Sequence, residues 1–297
     1  MYFPVADIET APWLPPLVAF AISFCTSMGG VSGAFMLLPF QVSVLGFTTP
    51  AVSATNHLFN IVAIPSGVYR YIREGRMIWP LTWTVILGTL PGVFAGSLIR
   101  VVYLPDPRSF KRFAALVLLY IGIRLVREVF SGATPPAAKI PRKTQIKEFR
   151  VTDQRMTPAA ITFTFNDEHF SISTLPLLLL SLTVGVVGGV YGIGGGAIIA
   201  PFLVSFFGVP VYTVAGAALA GTLFTSVAGV LFFQVIAPFY PHMAISPDWL
   251  LGLLFGVGGA AGMYCGAKLQ RFVPATIIKS ILAFAIIFTA IRYLGWL

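Results

Sequence analysis

Apolar blocks long enough to cross a lipid bilayer dominate this chain, and two of them are too long to be a single crossing. The blocks run from about Trp13 to Phe47, Pro50 to Tyr69, Ile78 to Tyr103 and Phe110 to Phe130. Beyond a polar stretch they resume at Ile172 to Val209, Val211 to Phe239, Trp249 to Leu269 and Ala275 to Leu297. A straight spanning helix takes roughly 20 residues. The blocks that open at Trp13 and Ile172 exceed 30, and each is interrupted by a glycine cluster: Met28-Gly29-Gly30-Val31-Ser32-Gly33 in the first, Tyr191-Gly192-Ile193-Gly194-Gly195-Gly196 in the second. Each block therefore reads as a tight pair of helices or half-helices, re-entrant or fully crossing. Charged residues are 10% of the chain and the mean hydropathy is +0.88, whereas a soluble domain carries roughly 25% charge. So little polar side chain cannot clothe a water-facing surface. The sequence specifies an all-α, polytopic integral membrane protein, and excludes DNA-binding modules, secreted scaffolds and ordinary cytoplasmic enzymes.

The net charge of +9 sits mostly between the apolar blocks, where membrane topology accounts for it without nucleic acid. Arg70, Arg73 and Arg76 against Glu74 follow the second block, while the equivalent stretch of the second half, Ala237 to Asp248, offers only Asp248 and a neutral His242. The positive-inside rule then turns the first loop to the cytoplasm and its counterpart outward. The basic run Lys139, Arg142, Lys143, Lys147, Arg150 and Arg155 agrees, as do Lys268, Arg271 and Lys279. The loop holding Arg100, Arg108, Lys111 and Arg112 against Asp106 disagrees, being basic where the scheme puts it outside. The opening residues lack the basic start of a cleaved signal peptide. Cys25 and Cys265 lie in apolar blocks at no metal-ligand spacing, so neither a metal site nor a cofactor is expected.

Self-similarity divides the chain into a membrane repeat at 1–130, a cytoplasmic connecting segment at 131–171 and a second membrane repeat at 172–297. At a shift of 162 residues Gly30 meets Gly192, Gly33 meets Gly195, Pro39 meets Pro201, Ser43 meets Ser205, Gly46 meets Gly208 and Gly67 meets Gly229. At a shift of 170 the ladder Gly88, Gly92, Gly96 meets Gly258, Gly262, Gly266. These ladders put small residues on one helix stripe, suited to close helix contact rather than to substrate. If each broken block counts as two segments, each half has five and the halves are inverted copies; if each is one kinked helix, the halves are parallel. In the connecting segment, Lys147–Val151 and Ala160–Phe165 are predicted to pair as a short hairpin, serving as a cap or a tether.

Matched, glycine-interrupted helices in two repeated halves are the arrangement of alternating-access transporters, with the binding site at the breaks. A helix that begins inside the membrane leaves its first amides unpaired, and these together with the helix dipole favour an anion. The candidates for substrate contact are Ser32 and Gly33 at the first break and Gly192, Gly194, Gly195 and Gly196 at the second. Beside them stand the polar residues Ser53, Thr55, Asn56, His57 and Asn60 of the second block and the hydroxyls Thr222, Thr225 and Ser226 of the second half. Asn56 and Asn60 share a helix face, as do Ser53 and His57, forming a strip that lines a cavity or pairs with neighbouring helices. His57 is the histidine within an apolar block and the candidate for proton coupling. No Asp or Glu lies deep in any block, which speaks against a cation pump and for an anionic substrate.

The cluster Gly192-Ile193-Gly194-Gly195-Gly196 followed by Pro201, the element Ser53-Ala54-Thr55-Asn56, the Gly67…Gly75 stretch and Gly221-Thr222-Leu223-Phe224-Thr225-Ser226…Gly229 together resemble the TauE/SafE family of membrane proteins. The likeness covers both membrane halves but not the insert at 131–171, and the first glycine cluster departs from it, with Ser32 inside Gly30-Val31-Ser32-Gly33. The resemblance implies a carrier, in the cytoplasmic membrane, of a small anion such as sulfite, a sulfonate or a related oxyanion. Its expected partners are that anion, lipid, protons as a coupling ion and further copies of itself. A passive anion channel and a membrane enzyme acting on lipid or quinone are the competing classes; the scattered histidines His57, His169 and His242 count against the enzyme.

Overall fold

A computed structural model describes residues 1–28, 32–130, 150–165, 167–269 and 275–295; the expectations for Gly29–Val31 and for 131–149 fall outside the described residues. The protein is mostly helical. The first half contributes α1 (Leu14–Met28), α2 (Ala34–Ser43), α3 (Ala51–Ala63), α4 (Pro65–Arg73), α5 (Trp79–Val102) and α6 (Pro107–Phe130). The second contributes α7 (Thr174–Tyr191), α8 (Gly195–Phe207), α9 (Val211–Ile236), α10 (Trp249–Leu269) and α11 (Ala275–Leu294). Pro65, which has no N–H to donate, divides the second apolar block into α3 and α4. Among the described residues, four helices, at Trp79–Val102, Thr174–Tyr191, Thr213–Phe239 and Trp249–Gly266, are long and apolar enough to span a bilayer. Leu87, Phe94, Leu98, Leu116, Leu179 and Phe284 lie exposed on the outside of the bundle, where only lipid would make such a surface stable.

Two small sheets mark the two ends of the bundle. At one end β1 (Tyr2–Phe3) pairs with β2 (Ile8–Glu9), and the buried carboxylate of Asp248 accepts from the Ala6 amide at 3.3 Å and caps the start of α10 by accepting from Leu251 N at 3.0 Å. This end is termed the N-terminal face. At the other, the sheet face, β3 (Val151–Met156), β4 (Ala160–Phe165) and β5 (Glu168–Ser173) form an antiparallel sheet in sequence order. This corrects the expected hairpin. The partner of Ala160–Phe165 is Val151–Met156, a residue run with a bulge between Thr152 and Arg155, and a third strand follows. The sheet is tied down by Val151 N donating to Gly75 O at 3.0 Å. The Gln154 amide also accepts from Trp79 N at 2.9 Å and donates to Met77 O at 3.1 Å.

The glycine ladders set how the halves interlock. In lipid no hydrophobic force drives helices together, so close backbone contact at small residues does. Gly92 of α5 lies against the backbone of Leu182, Gly185 and Val186 of α7, and Gly185 and Gly189 of α7 lie against Thr89 and Val93 of α5, so these two helices run parallel. Gly258, Gly262 and Gly266 of α10 lie in the same way against Pro16, Phe20 and Phe24 of α1. Each long helix therefore packs along a broken helix of the other half. Helices α6 and α11 pair with each other, and α3 crosses α9. At the sheet face Gly216 of α9 meets Tyr71 and Met77, so α9 starts there, while α3 starts at the N-terminal face, where Ala51 N donates to Ala244 O. It follows that the α7–α8 pair enters and returns at the sheet face, and α1–α2 enters and returns at the N-terminal face. The 18 residues of α7 extend about 27 Å before the turn and the 13 of α8 about 20 Å.

Arg100 is a second correction. Counted from sequence among loop charges, it belongs to α5 and is fully buried, with Nη1 donating to Leu104 O, Nη2 donating to Thr48 O at 3.1 Å and the guanidinium 3.8 Å above the Phe110 ring. The α5–α6 connection thus presents Arg108, Lys111 and Arg112 against Asp106, and part of its basic excess is spent inside the fold.

Candidate functional site

The second break is built by glycine conformation. Helix α7 closes at Tyr191 with Gly192 in the left-handed region (φ 79°, ψ 23°), and the amides of Gly192 and Ile193 both return to Gly188 O, at 2.9 and 3.0 Å. Gly194 then takes φ 74° and ψ 151°, a conformation open essentially to glycine alone, and α8 begins at Gly195. The turn is packed as tightly as it is bent. A Cβ on Gly192 would stand 2.7 Å from Ser53 Cα, one on Gly195 would stand 2.5 Å from Thr89 Cγ2, and one on Gly196 would stand 2.7 Å from Thr222 Oγ1. One on Gly194 would meet Thr225 Oγ1 at 2.9 Å and Ser226 Oγ at 3.2 Å.

Helix α3 supplies the facing side chains. Ser53, His57 and Asn60 recur at i, i+4 and i+7 and so share a face. Ser53 Oγ donates to Val190 O at 3.0 Å. Asn60 Nδ2 donates to Ile193 O at 3.2 Å, inside the turn, and to Ser226 Oγ at 3.3 Å. Ser226 Oγ also stands 3.2 Å from His57 Nδ1. All of these side chains are buried, and no Asp, Glu, Lys or Arg occurs between Glu168 and Asp248 or between Ala51 and Tyr69. Among the described residues, two polar atoms of the cluster have no partner, Asn60 Oδ1 and His57 Nε2. Such atoms are uncommon in folded proteins and expensive to retain. Among the described residues nothing accepts from the amides of Gly194, Gly195 or Gly196, the first-turn donors of α8.

The expected polar strip is thus divided by the fold. Asn56, on the neighbouring face, turns to the first half: Nδ2 donates to Ala34 O at the start of α2 at 3.0 Å, and Oδ1 accepts from Gln41 Nε2 at 3.4 Å. The two breaks are themselves bridged, since Tyr191 OH donates to Phe35 O at 2.9 Å. At the first break Ser32 Oγ accepts weakly from Ala34 N at 3.4 Å. Gly33 holds an ordinary helical φ of −65°, with Ser23 Oγ 2.9 Å from where its Cβ would be. Thr55 is not brought to this cluster; its hydroxyl accepts from Asp248 N at 2.9 Å and fastens α10 to α3. Thr222 and Thr225 donate to their own helix, to Ala218 O at 2.9 Å and Gly221 O at 2.6 Å. Sequence reasoning passed over Ser23, Tyr191 and Thr89, whose roles come from tertiary neighbours; the alignment of Ser23 and Thr89 with glycines of the opposing helices carries no sequence signal.

The family model described as "Sulfite exporter TauE/SafE" matches residues 16–293. This chain belongs to the TauE/SafE family. It is also similar to the "Probable membrane transporter protein YdhB" of Bacillus subtilis (strain 168), 30% identical over 119 residues, which are 40% of this chain and 45% of that protein. The chain thus spans under half the length of that curated relative. No solved structure matches. As a TauE/SafE member with several span-length apolar helices, the protein is a multi-pass protein of the cytoplasmic membrane and belongs to a family of membrane transporters.

Proposed function

We propose that the protein is a secondary transporter of a small anion, with sulfite, a sulfonate or a related sulfur oxyanion as the substrate class, and that the anion binds at the amino end of α8. The observation that carries this reading is the coupling of Asn60 to the turn carbonyl of Ile193, beside three first-turn amides of α8 that find no acceptor among the described residues. Amide donors, hydroxyls and a carboxamide in a buried place without a fixed charge suit an oxyanion, which accepts from several directions at once. The family's description supports the sulfur chemistry.

The packing supports an alternating-access reading. Helices α1, α2, α3 and α10 form one unit and α5, α7, α8 and α9 the other, and they meet where α3 crosses α9. We read the halves as inverted copies: α1–α2 returns to the N-terminal face and α7–α8 to the sheet face, and relative motion of the two units would expose the α3–α9 cluster to each side in turn. The basic residues around the sheet face support a cytoplasmic location for it. His57, bonded to Ser226 and with no carboxylate or basic partner among the described residues, is the group through which proton coupling would enter. The direct test is thermal unfolding of the detergent-purified protein against sulfite, sulfate, thiosulfate, taurine and simple carboxylates. A selective, saturable rise in Tm with a sulfur oxyanion is expected, and a flat response to every anion would overturn the substrate class. A pH profile of flux that His57→Gln leaves unchanged would remove the proton role.

A further inference from the structure

We propose that two small apolar clusters, one at each end of the α3–α9 crossing, are the gates of the transport path; the inference rests on the transport reading above and names the residues that close each side. Toward the N-terminal face, Ala54 of α3, Val101 of α5, Phe233 of α9 and Ile245 of the α9–α10 connection bury one another, flanked by Ile236, Tyr240 and Met243. Toward the sheet face, Ile64 and Val68 join Met77 of the α4–α5 connection and Ala220 of α9, flanked by Tyr71, Leu219 and Leu223. Both clusters stand apart from the main core. The reason lies along the α3–α9 face, where His57, Asn60 and Ser226 interrupt the apolar contact midway.

On α9 the order from the sheet face is Leu219, Thr222, Ser226, Gly229, Phe233, and on α3 from the N-terminal face Ala54, His57, Asn60, Ile64. Each helix therefore reads apolar, polar, apolar. Phe233 lies seven residues, about 10 Å of helix, beyond Ser226, and its ring is 6.3 Å from that of His57. Tyr71 and Phe233 are also separated by 162 residues, the shift that aligns the two repeats, so the aromatic member of each cluster occupies the same repeat position on opposite faces. Each cluster draws side chains from both packed units, so it opens only when α3 and α9 part. A closed apolar ring excludes a hydrated anion by refusing to wet, while the polar belt between the rings holds the anion's donors. The inner ring is additionally braced, because Gln154 bonds Met77 O and Gly216 of α9 sits 3.3 Å, at its Cβ position, from Met77 Sδ.

The test is sided chemical labelling, which needs no substrate and so separates failure of the gates from failure of the anion reading. In a Cys25→Ala, Cys265→Ala background, Ser226→Cys reports the buried belt. Right-side-out and inside-out membrane vesicles are treated with a membrane-impermeant maleimide. Labelling is expected to be slow from both sides. Phe233→Ala should raise the rate from the N-terminal face alone, and Met77→Ala from the sheet face alone, each by about tenfold or more if the intact gate is open roughly 10% of the time or less. Ile245→Ala and Val68→Ala repeat the test should either first variant fail to fold, judged by a monodisperse gel-filtration peak. Unchanged rates in folded variants, or acceleration from the same side by both classes, would overturn the assignment.

Discussion

Replacing Asn60 by Leu separates what this residue does for the fold from the anion contact proposed for it. The substitution removes two long hydrogen bonds, to Ile193 O at 3.2 Å and to Ser226 Oγ at 3.3 Å, each contributing about 0.5–1.5 kcal/mol, and it leaves the Ile193 carbonyl without that donor, at a cost of about 1–3 kcal/mol. It also removes Asn60 Oδ1, a buried acceptor without a partner, whose desolvation is of the same order, about 1–3 kcal/mol. The two orphan terms oppose one another, so net destabilisation should stay near about 1–3 kcal/mol, the value of the two lost bonds. For a chain of this size that is a fall in Tm of roughly 2–5 °C. Anion binding should respond differently. In the native protein an anion at about 100 times its Kd adds about 2.7 kcal/mol, a rise in Tm of comparable size. In Asn60→Leu the turn loses its tie to α3 and the anion loses a carboxamide, so the sulfite-dependent rise should vanish. The assay is one melting series with and without sulfite for both proteins. A variant that melts within the expected range and keeps the full, saturable rise would refute the placement of the site. A collapse in stability without sulfite would show that Oδ1 is satisfied and the ledger misassigned.

The remaining expectations are narrower. Gly194→Ala forces a side chain into φ 74° and against Thr225 Oγ1, whereas Gly208→Ala meets a φ of 65° with nothing within 4 Å. The first should lower Tm more than the second, whose strain alone is about 1–3 kcal/mol, and equal shifts would mean that the α8 turn has room to relax. At the α5–α6 connection the Ser109 amide donates to Asp106 at 2.9 Å and, as the leading cause, holds its carboxyl below the ordinary value of 3.8. Because the folded value is depressed, the stabilising contribution is present above the ordinary carboxylate range and is lost as pH falls through the folded value. Asp106→Asn should therefore lower Tm slightly at neutral pH and flatten the decline between about pH 5 and 3, and parallel melting curves across that range would contradict it. Gln154→Ala deletes both bonds from the sheet to Met77 and Trp79, so limited proteolysis should cut within 150–173 faster than in the native chain; an unchanged digestion rate would show that Val151–Gly75 pairing alone holds the sheet.

The membrane class and the helical blocks were legible because both are local and repetitive. Twenty apolar residues without charge admit few structures other than a spanning helix in lipid, and the composition leaves no soluble alternative. The turn at 192–194 was legible for the same reason: glycine is what a chain needs where φ turns positive, and Gly192 and Gly194 both do so. The polar strip of Ser53, Asn56, His57 and Asn60 was divided in the fold, since a helix of 3.6 residues per turn sends neighbouring polar residues to different partners. Thr55 went to Asp248, Asn56 to Ala34 and Asn60 to Ile193. The third strand at Glu168–Ser173 escaped because its alternation runs on into the apolar start of α7.

The sequence by itself determined the solvent, the order of the apolar blocks and the place where α7 must break. Only the tertiary structure decided which helix lies along which. The ladder Gly88, Gly92, Gly96 announces close contact but carries no address, because a stripe without side chains is complementary to any backbone. That it receives α7, while its counterpart receives α1, depends on surfaces contributed by residues ninety or more positions away. The same holds for Arg100: a basic residue near a helix end reads as loop charge until Thr48, Leu104 and Phe110 close around it. Charge and hydropathy are properties of a residue, whereas burial and partnership are properties of what the rest of the chain brings to it.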